Sequence, residues 1–192
     1  DIKYCPNHPD TLLACAWDDI TPGDLVKSTN GGANWALISG YIHNDMTEIA
    51  FNHSNSNVVY VSGDGKITKS TNYGDSWISS FNGLPSNLGC YCVAIDPFNP
   101  QTLLTSNDNG IYRSADNGQN WSQIFNTACR RIVFHPNIPG IAAAITFSPY
   151  KILFSTNSGL NWSDSTAAFP GNNMIDLVFC KYDNNLYVAS ST

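Results

Sequence analysis

The residues best equipped for chemistry are carboxylates set beside aromatic rings. Rings stack on sugar faces while Asp and Asn side chains bond hydroxyls, so this combination is the raw material of a carbohydrate site. It occurs at Trp17-Asp18-Asp19, at Tyr41 with His43, at Asp64, at Asp108, at Arg130 and at Tyr150. Hydrolysis of a glycosidic bond requires two carboxyl groups flanking that bond at a separation set by the mechanism. Asp18 and Asp19 are adjacent and cannot both point inward from an extended strand. Asp64 lies in Gly-Asp-Gly and Asp108 in Asn-Asp-Asn-Gly, where a short polar side chain closes a turn. A binding face is therefore expected, and no catalytic residue is assigned.

Metal and cofactor chemistry finds no foothold in the spacing. His8, His43, His53 and His135 are scattered, and the acidic stretch from Asp18 to Asp24 does not follow the EF-hand pattern. No Gly-rich loop leads from a strand into a helix, so no phosphate-bearing cofactor is expected. Cys90-Tyr91-Cys92 is one residue short of C-x-x-C. Six cysteines are compatible with disulfides in an oxidising compartment or with buried thiols. The N-x-S sequons at Asn52, Asn120 and Asn161 favour the first. Cys90 and Cys129 stand at matching places, each three residues ahead of an apolar run beginning at Val93 or Ile132, and are the expected disulfide pair.

The elements that must position these residues are announced by a repeated phrase. Ser28-Thr-Asn30-Gly-Gly32-Ala-Asn-Trp35 returns as Ser70, Asn72, Gly74 and Trp77, as Ser114, Asp116, Gly118 and Trp121, and as Ser155, Asn157, Gly159 and Trp162. All four copies fit S-x-[DN]-x-G-x-x-W and recur about every 43 residues, a period of stacked or radially arrayed units. The Asp or Asn accepts backbone N–H groups, the Gly suits a positive φ, and the Trp anchors the next strand, so each phrase predicts a hairpin. About 20 residues upstream of each lies an alternating apolar segment, a Pro/Asn-rich turn and a second β-rich run, as in Val93-Ala-Ile-Asp-Pro-Phe-Asn-Pro-Gln-Thr-Leu-Leu104. A fifth copy of that segment starts at Leu177. Two hairpins per unit make a four-stranded antiparallel blade, which predicts an all-β propeller.

The boxes and the Ala-Ile-Asp-Pro-Phe-Asn-Pro-Gln-Thr-Leu phrase resemble the BNR or Asp-box repeat propellers. These include sialidases, xyloglucanase-type glycoside hydrolases, the sortilin ectodomain, photosystem assembly factors and secreted bacterial repeat proteins. The segment from Gly83 to Trp121 is most similar to the last group, and three boxes carry Asn where the family usually has Asp. The resemblance implies a functional face built by loops joining the second and third strands and by loops between blades, with the boxes on the opposite rim. Sialidases also clamp substrate with three arginines from separate strands. Arg113, Arg130 and Arg131 include two neighbours, and no F/Y-R-I-P motif occurs, so a complete sialidase site is not expected.

The expected organisation is a single propeller region with blades at about 1–43, 44–88, 89–128, 129–172 and a partial fifth at 173–192. Four and a half blades leave edges and apolar faces bare, so completion by further blades or by another chain is expected. Net charge of −6 disfavours nucleic acid, because phosphate binding needs clustered Lys and Arg. No apolar run of about 18 residues is present to span a bilayer. The expected function is extracellular or cell-surface recognition of a glycan or protein through the loop face. The alternatives are a glycoside hydrolase whose site is partly elsewhere and a structural component of a surface assembly.

Overall fold

The computed structural model of the chain describes residues 1–15, 25–38, 46–63, 66–165 and 173–191. Every regular element among them is a β-strand, and they gather into two compact units, Asp1–Val93 and Ala94–Thr192. In the first unit β1 (Ile2–Cys5), β2 (His8–Cys15), β3 (Leu25–Ser28) and β4 (Ala36–Leu37) form one four-stranded antiparallel sheet. A second sheet is made by β5 (Glu48–Phe51), β6 (Val59–Gly63), β7 (Lys66–Ser70) and β8 (Ile78–Ser79). The strand β9 (Cys92–Ile95) runs across the unit boundary and joins β10 (Leu103–Asn107), β11 (Gly110–Ser114) and β12 (Ser122–Phe125). The second unit also holds β13 (Cys129–Phe134), β14 (Ala142–Thr146), β15 (Ile152–Ser155) and β16 (Ser163–Asp164), and the pair β17 (Met174–Phe179) and β18 (Leu186–Ser190). Among the described residues there are therefore four four-stranded sheets and one two-stranded sheet, as the repeat predicted.

Burial explains the composition of each strand. All residues of β6, β10 and β14 are buried, so these second strands read as unbroken runs such as Val-Tyr-Val-Ser-Gly and Ala-Ala-Ala-Ile-Thr. In the first unit Cys5, Leu13, Cys15 and Leu25 of the first sheet pack against Met46, Ile49 and Phe51 of the second. In the second unit Ala143, Ile145 and Ile152 pack against Met174, Leu177 and Phe179. Within each unit a sheet thus buries one face on its neighbour, at a gain of about 25 cal/mol per Å² of apolar surface.

The repeated phrase has one geometry in all four copies. The Ser hydroxyl accepts the Gly amide at 2.9 Å for Gly32, Gly74 and Gly118 and 3.0 Å for Gly159. It donates to the Asx carbonyl or carboxylate oxygen at 3.0 Å in the first box and 2.8 Å in the third. That oxygen in turn accepts the amide four residues on, at 2.9 Å in every box. Two successive residues are left-handed, Tyr73 and Gly74 at φ 58° and 88° for example; Gly fills only the second position in three boxes and both, as Gly31 and Gly32, in the first. Asn120 and Ser114 bonds hold the Asp116 carboxyl below the usual range. The box tryptophans differ in surroundings: Trp121 is buried, while Trp35 remains exposed because no described sheet covers that side of β1–β4.

A second turn repeats with changing chemistry. Asn52 Oδ1 accepts the amides of Ser54 and Asn55 at 2.9 and 3.1 Å, and Asp96 Oδ1 accepts those of Phe98 and Asn99 at 2.9 and 3.2 Å. At the matching position His135 Nδ1 accepts the amides of Asn137 and Ile138, both at 3.0 Å. His135 is thus a buried turn-forming acceptor that leaves no lone pair on Nδ1 for a metal.

The cysteines correct one expectation. All six are thiols, so the Cys90–Cys129 disulfide does not form. Five are buried and Cys180 is half-exposed; Cys129 Sγ points to Thr127 O at 3.4 Å, and the Cys90 amide donates to Gly63 O at 2.9 Å. Burial pushes the Cys129 thiol up to about 12 despite a hydrogen bond with Ser106, and burial likewise raises Cys5 and Cys15. Since the thiolate is the reactive form, alkylation of the native chain should be confined to half-exposed Cys180, with all six thiols reacting after denaturation. Mass spectrometry after iodoacetamide checks this; rapid native labelling of Cys129 would contradict the packing.

Candidate binding face

Strand direction places the loop residues. In the second unit the β10–β11 hairpin, in which Asn107 pairs with Gly110, and the β14–β15 turn lie at the strand ends opposite the boxes, which follow Ser114 and Ser155. The connection into β13 and the residue before β17 reach the same end by alternation. Asp108, Arg130 and Tyr150 are therefore carried at one end of this unit. Trp17, Asp18, Asp19, Tyr41, His43 and Asp64 lie outside the described residues.

Asp108 is exposed at a hairpin tip whose conformation is set by Asn107. The Asn107 Oδ1 accepts the Asn109 amide at 2.9 Å, and the buried Nδ2 of the same side chain has no hydrogen-bond partner among the described residues. Next to it the Ser106 hydroxyl donates to Gly110 O at 3.1 Å and accepts the Cys129 amide at 2.8 Å. This ties the Asp108 hairpin to the first residue of the strand that carries Arg130.

Arg130 is exposed, with its guanidinium 5.9 Å from the centre of the Phe147 ring. The register that pairs Cys129 with Thr146 brings the two residues together. Tyr150 packs its ring on the Ala143, Met174 and Leu177 cluster while its hydroxyl donates to Asn173 Oδ1 at 3.0 Å. Asn173 is itself left-handed, at φ 57°, and bonds Ser191. A cation over a ring recurs at the same end of the second sheet, where Lys66 Nζ lies 5.7 Å from the Phe81 centroid.

Phe147 and Asn173 join the candidate residues of the second unit, and Lys66 with Phe81 forms a pair of its own in the first. Phe147, Asn173 and Phe81 fall in loops that strand counting already places at this end, whereas their partners are set by non-local register. Arg113, weighed as a substrate clamp, is committed elsewhere: its Nε donates to Ser158 O at 3.1 Å and a terminal nitrogen to Thr102 Oγ1 at 3.2 Å. Arg131 is paired with Asp176 at 3.1 Å.

The arrangement offers a cation, a phenol, an amide and a carboxylate around two rings. Lys151 and Asp164 nearby on β15–β16 are paired at 2.7 Å. Among the described residues no three His, Cys, Asp or Glu side chains cluster to hold a metal ion. Such a surface can bond hydroxyls or peptide groups and stack on flat faces.

Comparison with known proteins fixes what this scaffold is similar to. Neither a family model nor a curated protein sequence matches the chain. Among solved structures it is similar to an ancestral GH74 enzyme, with a TM-score of 0.78 and 20% identity over 99% of this chain and 29% of that one. The extracellular domain of a putative hybrid two-component system from B. thetaiotaomicron matches with a TM-score of 0.74 and 13% identity, over 99% of this chain and 26% of that one. YCF48 from Cyanidioschyzon merolae matches with a TM-score of 0.61 and 16% identity, over 83% of this chain and 54% of that one.

The fold is a β-propeller repeat fold, and the chain corresponds to part of larger propeller chains. It spans between about a quarter and just over half of the chains it matches. At these identities the likeness is one of fold, which by itself assigns no activity.

Proposed function

We propose that the chain belongs among the Asp-box repeat propellers and serves extracellular or cell-surface recognition, binding a glycan or a protein partner through the loop end of its blades. The observation that carries this reading is the placing of Arg130 over Phe147 and of the Tyr150 hydroxyl on Asn173 at the same strand ends as exposed Asp108. A cation, a hydroxyl and a carboxylate gathered beside aromatic rings suit a sugar or a peptide, and the acidic balance of the chain weighs against nucleic acid. Of the three sequon asparagines, Asn161 is exposed, Asn120 is exposed but donates its side-chain amide to Asp116 at 2.7 Å, and Asn52 is buried as a turn acceptor.

The fold likeness to a GH74 enzyme favours a second reading, hydrolysis of a glycosidic bond. That reading requires two carboxyl groups across one bond. In the second unit Asp108 sits on a hairpin tip, while Asp164 is held by Lys151 and Asp176 by Arg131.

A glycan array run beside a hydrolysis assay on the bound polysaccharides separates the two. Arg130→Ala and Tyr150→Phe remove one cation and one hydroxyl while keeping the buried ring of Tyr150. Each is expected to weaken binding roughly tenfold, the worth of one hydrogen bond at about 1.4 kcal/mol. Binding unchanged in both variants would remove this face, and release of reducing sugar would establish the enzymatic reading instead.

A further inference from the structure

Four asparagines are followed directly by glycine: Asn30, Asn82, Asn109 and Asn117. In such a pair the glycine amide nitrogen can attack the asparagine side-chain carbonyl carbon, because no β-carbon on the glycine blocks the approach. Ring closure requires that the peptide between the two residues rotate and that the glycine N–H be released from any other partner. The fold meets those conditions differently at each pair.

At three of them the glycine is held. Gly31 N–H donates to Asp10 O at 2.9 Å, while Asn30 Oδ1 is engaged by the Ser28 hydroxyl and the Asn34 amide at 3.0 and 2.9 Å. Gly118 N–H donates to Ser114 Oγ at 2.9 Å inside the third box. Gly110 is buried in the ladder, where it pairs with Asn107, and it lies so close to β12 that a Cβ would stand 2.0 Å from Phe125 O. Rotation of the Asn109–Gly110 peptide would therefore break the start of β11.

Asn82 and Gly83 are placed otherwise, and both are exposed. Leu84 N–H donates to Phe81 O at 2.9 Å and Gly83 has φ 90°, so residues 81–84 form a β-turn with Gly83 at its positive-φ position. The closing bond joins the first and fourth residues and leaves the central peptide outside it. Gly83 N–H has no acceptor among the described residues, so this peptide can turn over with the Phe81–Leu84 bond intact. The flanks are anchored, with Leu84 buried and Lys66 Nζ 5.7 Å from the centre of the Phe81 ring.

We propose that Asn82 is a site of intramolecular deamidation in the folded chain. Gly83 N gives its proton to water and bonds to Asn82 Cγ; the Cγ–Nδ2 bond breaks, and the side-chain nitrogen leaves as ammonia. Water then opens the cyclic imide at either carbonyl, and nothing is oxidised or reduced. Opening at Cγ gives aspartate, whereas opening at the main-chain carbonyl gives isoaspartate, in which the chain runs through Cβ. Either product sets a carboxylate next to Phe81, under Lys66, and makes the net charge one unit more negative than −6. The isoaspartyl product also lengthens the turn by one carbon, which the Phe81–Leu84 bond does not accommodate. This goes beyond the loop-end reading and stands on different residues.

Incubation of the whole chain in mildly alkaline buffer tests it, with isoelectric focusing to count added charges and fragment mass spectra to place each lost amide. The native chain should gain a single acidic form, changed at residue 82 and containing isoaspartate that is detected by enzymatic methylation. In urea strong enough to unfold the chain, all four pairs should convert together, because the bonds that hold the other glycines are gone. Asn82→Gln, whose longer side chain does not close the same ring, should abolish the native charge shift. Asn82→Asp should start at the focusing position of the aged wild type. Residue 82 is exposed, so both variants should keep the wild-type circular dichroism spectrum. Native conversion of Asn30, Asn109 or Asn117 as fast as that of Asn82 overturns the proposal. So does an Asn82 that stays intact in the native chain over the time in which the unfolded chain converts. Arg130→Ala should leave the conversion unchanged, so failure of the loop-end reading and failure of this one are distinguishable.

Discussion

Gly110→Ala is expected to disrupt the third sheet and with it the second unit. Gly110 opens β11 at φ 134°, and a Cβ there would stand 2.0 Å from Phe125 O and 2.9 Å from both Phe125 C and Asn126 Cα. These are backbone atoms of the neighbouring strand, and Ile111 pairs with Phe125, so no side-chain rotation relieves the overlap. Relief requires pulling β12 away from β11, which also loosens the Asp108 tip and the Ser106 bond to Cys129. The cost should be about 4 kcal/mol or more, in the range reached only by a specific steric fault. That is a large part of the roughly 5–15 kcal/mol that holds a domain together. Thermal unfolding followed by circular dichroism should show a fall in Tm of about 10 °C or more, if the variant folds at all. A Tm within about 2 °C of wild type would show that β12 is not held as described.

The box glycines should differ in sensitivity although their sequences match. Alanine at any of them adopts a left-handed conformation, at about 1 kcal/mol. Gly159→Ala adds a Cβ 2.7 Å from both Cδ atoms of Leu104 in a fully packed seam. Overpacking of that sort costs about 1–3 kcal/mol more. Gly74→Ala meets Leu13 at 3.1 and 3.2 Å and should cost less, and Gly32→Ala, with only Trp35 at 3.7 Å, should show the backbone strain alone. Urea denaturation of the three variants should rank them Gly159, Gly74, Gly32. Leu104→Ala in the Gly159→Ala background should cost less than the sum of the single changes, because the added methyl occupies part of the space that Leu104 vacates. Equal losses at the three glycines, or strict additivity in the double variant, would show that the seam does not set the cost.

Much of the architecture was legible because it is local. A box satisfies its hydrogen bonds within eight residues, so Ser, Asx, Gly and Trp at fixed offsets are enough to recognise it. The second turn was legible as a turn but its logic was not, since Asn52, Asp96 and His135 perform one task with three chemistries. His135 could be noticed only as a scattered histidine until two amides were seen converging on its Nδ1. The cysteine pairing failed for a related reason. Equivalence of Cys90 and Cys129 along the repeat says that they occupy matching places, and matching places in successive sheets need not point at each other.

The candidate face divides along the same line. That Asp108, Arg130 and Tyr150 share one end follows from counting strands, because each antiparallel turn reverses direction. That Arg130 lies over Phe147 follows from the pairing of Cys129 with Thr146, and that Tyr150 bonds Asn173 follows from packing on β17. Neither register nor packing leaves a trace in spacing.

The amino-acid sequence alone determined the repeat, the four-stranded unit and the end at which loops gather, since these depend on turns whose bonds close within a few residues. Only the tertiary structure decided which thiols remain apart and why Gly110 and Gly159 tolerate no side chain. Those properties depend on how one strand or sheet lies on another, and van der Waals contact across a seam is set by residues distant in sequence.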